Sequence, residues 1–355
     1  MAVGSERPPW AASGGLPGDV GSPDVNDIVS EIHEDLRAWA VAETGDPDAT
    51  IEGLVRTSAG FSRENWVFDL VSGPDRAGDR RALIARRDPI GSVLDTDREV
   101  ETAVLRALEG SAVPVPIVVW SDPQGTRLGR PTLVMERADG VCDWFVLNGD
   151  RPLATRVAIA HRLYDRMADI HTFDWRAAGL GAVLEDPGTA AATAAADHWE
   201  DQLRRVQLEP EPELELILAW LRAHAPTSAV TTLVHADFKP GNTLLTGDDV
   251  TLVLDWETAH LGDPHEDLGW VTNPVRAGEH RIPDAWQPDD LLARWSDRTG
   301  IAVDRASVHW WNVLANFKLC VIVLTGTRAF VDGRLDRVHQ PPLALARVML
   351  DMIGA

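Results

Sequence analysis

One stretch, "LVHADFKPGNTLLTGDDVTLVLDWE" (residues 233–257), holds four side chains whose types and spacing could do chemistry: Asp237, Lys239, Asn242 and Asp255. Two carboxylates and an amide oxygen gathered at one spot suit a hard cation such as Mg²⁺, which prefers oxygen ligands and keeps several waters. The lysine stands out because the chain has only one other, Lys318. Taken singly, Asp, Asn, Gly and Pro in a loop are usually turn formers and helix caps. The ordered set, with His235 ahead of Asp237 and Asp255 closing an apolar strand, argues for a site instead.

For these residues to meet, the chain must fold back. "TLL" and "VTLVLDW" read as strands and the intervening "TGDD" as a turn, so the stretch predicts a hairpin. A hairpin returns the chain to its starting point, which sets Asn242 beside Asp255. Asp237, in the loop entering the hairpin, faces the same end, and Pro240-Gly241 fixes the bend that aims the asparagine. Residues 1–23, rich in Gly, Pro and Ser, read as a disordered tail. Residues 24–140 open with an amphipathic helix capped by Asp24 and continue as short strands around one helix, "TDREVETAVLRALEG". Residues 141–355 are dominated by helices. The order predicts an α+β fold of two lobes, a small strand-rich one followed by a larger helical one.

A length of 355 residues fits two lobes better than one compact core. The formal net charge of -22 makes nucleic acid an unexpected partner, because phosphate binding needs a basic face. An acidic surface attracts cationic substrates or simply confers solubility. Two separated cysteines, Cys142 and Cys320, point to a reducing compartment. No signal-peptide pattern opens the chain, and apolar runs such as "LCVIVL" are too short for a bilayer. The expectation is a cytoplasmic soluble protein, monomer or homodimer, without a membrane partner. Neither lysine sits in a Walker-type Gly-Lys-Ser/Thr loop, and no G-x-G-x-x-G opens a helix after a strand.

"HADFKPGN" followed by "LDWE" resembles the catalytic core of the aminoglycoside phosphotransferase and choline kinase group, relatives of protein kinases, matching H-R-D-x-K-x-x-N and D-F-G residue by residue. The resemblance covers roughly residues 50–335 and implies a protein-kinase-like fold with a small antiparallel-sheet N-lobe that binds nucleotide and a helical C-lobe that carries catalysis. It implies ATP and Mg²⁺ as cofactors and a small hydroxylated acceptor. Asp237 would orient the acceptor hydroxyl and take its proton, Lys239 would neutralise the transferring phosphoryl group, and Asn242 and Asp255 would hold the metal. The lone lysine is then a point charge placed where negative charge develops.

Further family stretches imply an ATP site. "IARRDPIG…DREVETAVLRALEG" resembles the segment that pairs a third-strand basic residue with a helix glutamate, here Arg86 with Glu99. Arg87 remains an alternative to Arg86, and Glu99 also fits a Thr-x-x-Glu capping box. "TSAGFSREN" would cover the phosphates through Ser62, although it holds one glycine where kinases hold several. "LVMERADG" resembles the hinge, with Met135 lining the adenine pocket and backbone groups of Glu136 and Ala138 on the adenine edge. The "GDP…DL" of the family is present, and Asp267 would bond the catalytic loop. His260, His265 and Asp267 could also be imagined as a metal cluster, a weaker reading because no closed ligand set is evident. The chain has no room for a long activation segment, and Ala236 stands where protein kinases have arginine, so the acceptor is expected to be a small molecule.

The acceptor would lie against the C-terminal helices, where Trp311, Lys318 and Arg328 are candidate contacts. Tryptophans at helical spacing are more often core, whereas cations within an apolar helix need a partner, such as an anionic substrate, Asp267 or Glu257. His171 reads as a core hydrogen-bonder. Features such as "TGTRAFVDG" look closest to the branch related to kinase domains fused to acyl-CoA dehydrogenases, which implies a hydroxyacyl or hydroxyacyl-CoA acceptor as the alternative to an aminoglycoside. A non-catalytic nucleotide-binding module is the competing reading from a different class.

Overall fold

The computed structural model describes residues 25–57, 63–74, 79–88, 97–334 and 343–355. Ser62, Asp24 and the tail assigned to residues 1–23 lie outside them. Helix α1 (Val25–Thr44) sets Ile32, Leu36, Trp39 and Ala40 on one buried face. That face covers a sheet of β1 (Thr50–Thr57), β2 (Glu64–Val71), β3 (Arg80–Arg87), β4 (Val118–Asp122) and β5 (Thr132–Glu136), with α2 (Arg98–Leu108) between β3 and β4 in sequence. The strand order is β1-β2-β3-β5-β4, antiparallel throughout. Strand alternation divides β3 between two environments. Leu83 and Ala85 join Trp66, Phe68 and Val134 under α1, while Ile84 packs against the core shared with the helical lobe.

Helices α3 (Leu153–His171), α4 (Ala191–Val206) and α5 (Pro212–Ala223) lead to four short strands, β6 (Thr232–Val234), β7 (Thr243–Thr246), β8 (Asp249–Val253) and β9 (His260–Gly262). The expected hairpin is β7–β8, closed by Gly247 and Asp248 with Gly247 at φ 65°. β6 pairs with β9. Then come α6 (His265–Thr272), α7 (Ala277–His280), α8 (Pro288–Thr299), α9 (Arg305–Val331) and α10 (Leu343–Ile353). By length and composition α9 is apolar enough to cross a bilayer, which the short runs scanned in the sequence did not reveal. Most of its apolar window is buried inside the protein, packed with α4, α5 and α10 in a second core. The whole is the two-lobe, kinase-like α+β fold expected from the order of strands and helices.

Candidate active site

β6 runs out at Val234 into a loop built around one buried carboxylate. Asp267 on α6 accepts the backbone N–H groups of His235 (2.9 Å) and Ala236 (2.8 Å) and the ring of His171 (3.0 Å). The indole of Trp295 donates to the other nitrogen of His171 at 2.8 Å, so the imidazole hydrogen sits on Nε2, facing Asp267. Burial pushes the Asp267 carboxyl up, but the bond from His171 and the neighbouring donors outweigh it and hold it below the usual range. This grip bends Ala236 to φ 63°, a left-handed conformation that costs a residue with a Cβ. Lys318 Nζ holds the Ala236 carbonyl at 2.6 Å. Just past the bend, Asp237 Oδ2 accepts from Lys239 Nζ (2.6 Å) and Asn242 Nδ2 (2.9 Å). Asn242 Nδ2 also meets the Asp237 carbonyl at 3.1 Å, which orients the amide and turns its oxygen away from Asp237.

The hairpin brings Asp255 back to this loop. Leu254 N–H donates to the Asn242 carbonyl at 2.8 Å, and His235 Nε2 donates to the Leu254 carbonyl at 2.9 Å. Asp255 itself sits at φ 67°, so both non-glycine residues bent this way at the site flank the reacting groups. Its Oδ1 accepts from Arg86 Nη2 at 2.8 Å. Burial raises the Asp255 carboxyl, and the Arg86 charge and hydrogen bond more than offset it, leaving it lowered and ionised. An ionised carboxylate and an amide oxygen, brought to one end of the hairpin by the Leu254–Asn242 backbone bond, are a donor set that fits Mg²⁺. Among the described residues no group of three or more His, Cys, Asp or Glu forms a metal cage. An ion here would complete its shell with phosphate oxygens and water. The weaker cluster of His260, His265 and Asp267 does not assemble: His260 faces Glu266, His265 faces Asp263, and Asp267 holds the loop.

In the sheet lobe, alternation along β3 separates the two candidate arginines. Arg87 points to the α1 side, bonded to Glu64 (2.8 Å) and the Leu128 carbonyl (3.1 Å). Arg86 points to the cleft. Its glutamate partner is Glu101 (3.5 Å) rather than Glu99, which corrects the sequence expectation. Asp97 caps α2 by accepting the N–H groups of Glu99 (2.7 Å) and Val100 (3.4 Å). Glu99 is thereby left on the exposed face of the first turn, taking a bond from Gln124 at 3.1 Å. Glu101 is buried and gripped by Arg98, which also binds Asp88. Arg63 continues the chain of charges, touching Asp88 (2.8 Å) and Glu257 (2.7 Å). Arg63, Glu101 and Glu257 were not singled out as site residues in the sequence. Met135 is buried in the core between the lobes. The Glu136 N–H is taken by the Ile117 carbonyl (3.0 Å), leaving its carbonyl, and Ala138 is exposed just beyond.

A cavity of about 620 Å³ adjoins the loop at Ala236. Ala191, Ala194 and Ala195 of α4, Leu261 of β9, and Val321 and Ile322 of α9 form its apolar wall. Lys318, His260, Glu257 and Glu266 supply its charged groups, while burial lowers the pKa of His198 and favours its neutral ring. The Lys318 ammonium meets a carbonyl and the rings of Trp270 (5.0 Å) and Trp199 (5.5 Å) rather than the expected Asp267 or Glu257. Burial pushes its pKa down. The other two candidates on α9 are corrected. Trp311 is core, seated where α6 has Gly269: a Cβ there would lie 2.4 Å from the Trp311 side chain. Arg328 lies one turn beyond Thr325, the last α9 residue on the cavity wall, and pairs with Asp332 at 3.1 Å on the surface.

A two-lobed fold of this order, with Asp, Lys and Asn on a loop and Asp after a hairpin at the cleft, defines a kinase-like phosphotransferase by class. Residues 55–311 match the model of the phosphotransferase enzyme family, and the chain belongs to that family. Acyl-CoA dehydrogenase family member 10 of Mus musculus is 30% identical over 229 residues, 62% of this chain and 21% of that protein. Family member 11 of Rattus norvegicus is 27% identical over 288 residues, 74% of this chain and 37% of that protein. The chain thus spans well under half of these relatives' length. Among solved structures it is similar to a Ralstonia eutropha chain assigned to the aminoglycoside phosphotransferases (TM-score 0.66, 24% identity, 90% of this chain and 95% of that one). It is also similar to the macrolide 2'-phosphotransferase of Brachybacterium faecium (0.57, 21%, 90% and 98%). A third is an aminoglycoside phosphotransferase solved with AMP-PNP and hygromycin B (0.54, 18%, 90% and 97%).

Proposed function

We propose that the chain transfers the γ-phosphoryl group of ATP, bound with Mg²⁺, to a hydroxyl of a small molecule seated in the cavity beside Ala236. The observation that carries this reading is Asp237 Oδ2, held by Lys239 and Asn242 on the loop that adjoins that cavity. The acceptor hydroxyl donates to Asp237, its oxygen bonds to the γ-phosphorus, and the bond from that phosphorus to the bridging oxygen of ADP breaks. Lys239 turns from Asp237 toward the phosphoryl oxygens as charge builds on them. Asn242 and Asp255 would hold the metal, which supplies charge neutralisation between the phosphates. Arg86, oriented by Glu101, grips the nucleotide phosphates with its fork of donors. The adenine lies against Met135, with the Glu136 carbonyl and the Ala138 N–H on its edge.

Charge in the cavity favours a hydroxyacyl acceptor over a polycationic sugar. Of the carboxylates on the wall, Glu257 is paired with Arg63, Glu266 with His260 and Asp186 with Arg176, leaving Glu185, whereas Lys318 makes no ion pair among the described residues and faces two indoles. A cation without a carboxylate in ion-pair range, beside an alanine-lined wall, suits an acyl chain that ends in a carboxylate or thioester. Similarity to the acyl-CoA dehydrogenase family members, over part of their length, agrees with that class. We place the protein in the cytoplasm, consistent with two cysteines that are not joined in a disulfide.

Measuring ADP release across hydroxy acids, hydroxyacyl-CoAs and aminoglycosides tests both levels. Asp237→Ala should lower turnover by about 100-fold or more while the protein stays folded. Unchanged turnover in that variant removes the assignment of the base. Saturation by a cationic sugar alone removes the hydroxyacyl reading, and tight ATP binding without transfer to any acceptor makes the chain a nucleotide-binding module.

A further inference from the structure

Trp144 has no part in the reaction scheme above, yet it lies on the catalytic loop. Its segment is pinned at both ends. Val141 exchanges backbone hydrogen bonds with Leu245 at 2.9 and 3.0 Å, and Val146 and Leu147 are fully buried. Between these anchors the indole remains 46% exposed on its outer side. The inner face covers Gly241 so closely that a Cβ there would come within 2.6 Å of the ring. The same ring lies 4.7 Å from Lys239 Nζ, within cation–π range.

Lys239 therefore has two partners, the Asp237 carboxylate at 2.6 Å and the indole. A lysine carries its charge on a flexible four-carbon stem. During transfer that charge must leave Asp237, which then receives the acceptor proton, and remain beside the phosphoryl group. We infer that Trp144 is a positioning residue for Lys239: its ring face holds the ammonium at the transfer site while the carboxylate changes partner. This rests on the phosphotransfer reading and names a residue that the family motif does not contain.

The test compares Trp144→Phe, which keeps a ring face, with Trp144→Leu, which keeps apolar bulk without one. The leucine variant should lose about 3- to 30-fold in kcat with little change in KM for ATP, and the phenylalanine variant should recover most of it. In a Lys239→Met background Trp144→Leu should cost nothing further, whereas a purely structural tryptophan would cost the same in both backgrounds. Equal kcat for the leucine variant and the wild type, or an undiminished cost in the Lys239→Met background, overturns the inference. A second readout needs no turnover. The chain has two lysines, so lysine-selective ¹³C labelling gives two side-chain signals, and Lys239→Arg identifies one of them. Trp144→Leu should move the Lys239 signal by removing the ring current and leave that of Lys318 in place. An unmoved Lys239 signal overturns the contact itself. A moved signal in a protein that transfers no phosphate shows instead that the functional reading has failed while the contact stands.

Discussion

The two charged regions that meet at the cleft are held in opposite ways. On the helical side one carboxylate, Asp267, is saturated by two backbone amides and a neutral imidazole, which a tryptophan orients in turn. On the sheet side Arg63, Asp88, Arg98, Glu101, Arg86, Asp255 and Glu257 touch one another with alternating sign. Uncharged donors around a single anion leave one low-energy geometry, and that is where the catalytic loop needs to be rigid. A chain of buried ion pairs adds little net stability, because removing both charges from water costs about what their attraction returns. Its members can nonetheless exchange partners. On the proposed reading, Arg86 would release Asp255 to a metal and take phosphate oxygens when a polyphosphate enters, leaving no charge alone.

Breaking the rigid side should have the largest effect. Asp267→Asn keeps the volume but turns an acceptor oxygen into a donor that faces the Ala236 N–H or the His235 and His171 donors. With one or more buried groups unsatisfied, the loss should be about 2–4 kcal/mol of stability, measured by urea unfolding, together with loss of transfer. The wild-type contribution also carries a pH signature. The folded carboxyl is lowered, so its stabilisation is present above the unfolded value of about 3.9 and is lost as pH falls through the lower folded value. The asparagine variant should lack that part of the acid slope. A full stability and an unaltered acid slope in the variant would show that Asp267 is not the anchor.

The exchanging side should respond less, and it offers an internal control. Glu101→Gln loosens Arg86 and should reduce kcat/KM for ATP by about 10- to 100-fold, whereas Glu99→Gln, on the exposed face, should change it less than about twofold. Equal losses would restore the pairing first expected from the sequence. The two glutamates show where sequence reading stops and why. "HADFKPGN" and "LDWE" were legible because a loop and a hairpin adjacent in sequence decide by themselves which side chains meet. The order of strands and helices likewise carried the fold class. Glu101 was within reach: it precedes Leu105 and Leu108 by four and seven positions and so shares their buried face, whereas Glu99 does not. Arg63 and Glu257 were not within reach, since nothing local in either segment reports their pairing across the cleft. Arg328 misled because helical spacing extends the Lys318 face past the point where tertiary packing closes the cavity. Trp311 belongs to the core because Gly269, on another helix, leaves room for it.

The smallest expected effect lies at the cavity, between the two regions. His260 directs Nδ1 to the Thr258 carbonyl at 3.0 Å and Nε2 to Glu266 at 3.1 Å, so both ring nitrogens face oxygens and only the doubly protonated ring satisfies both. Burial disfavours the charge, but Glu266 and the carbonyl outweigh it and raise the pKa to about 9, although the side chain is 41% exposed. With both N–H groups committed, His260 acts on an acceptor through its charge alone. A raised histidine holds that charge, and the stabilisation from Glu266, fully below the unfolded value of about 6.5 and loses it as pH rises through about 9. For a carboxylate-bearing acceptor, KM should therefore rise about two- to threefold between pH 7.5 and 9.5, with KM for ATP nearly constant. His260→Gln should show the higher KM already at pH 7.5, leaving only the rise that comes from Lys318, whose pKa burial also lowers. A cationic acceptor should give the opposite trend, because the same charge repels it. That reversal would show the cavity to be built for amines and would leave Lys318, not His260, as the group still to be explained.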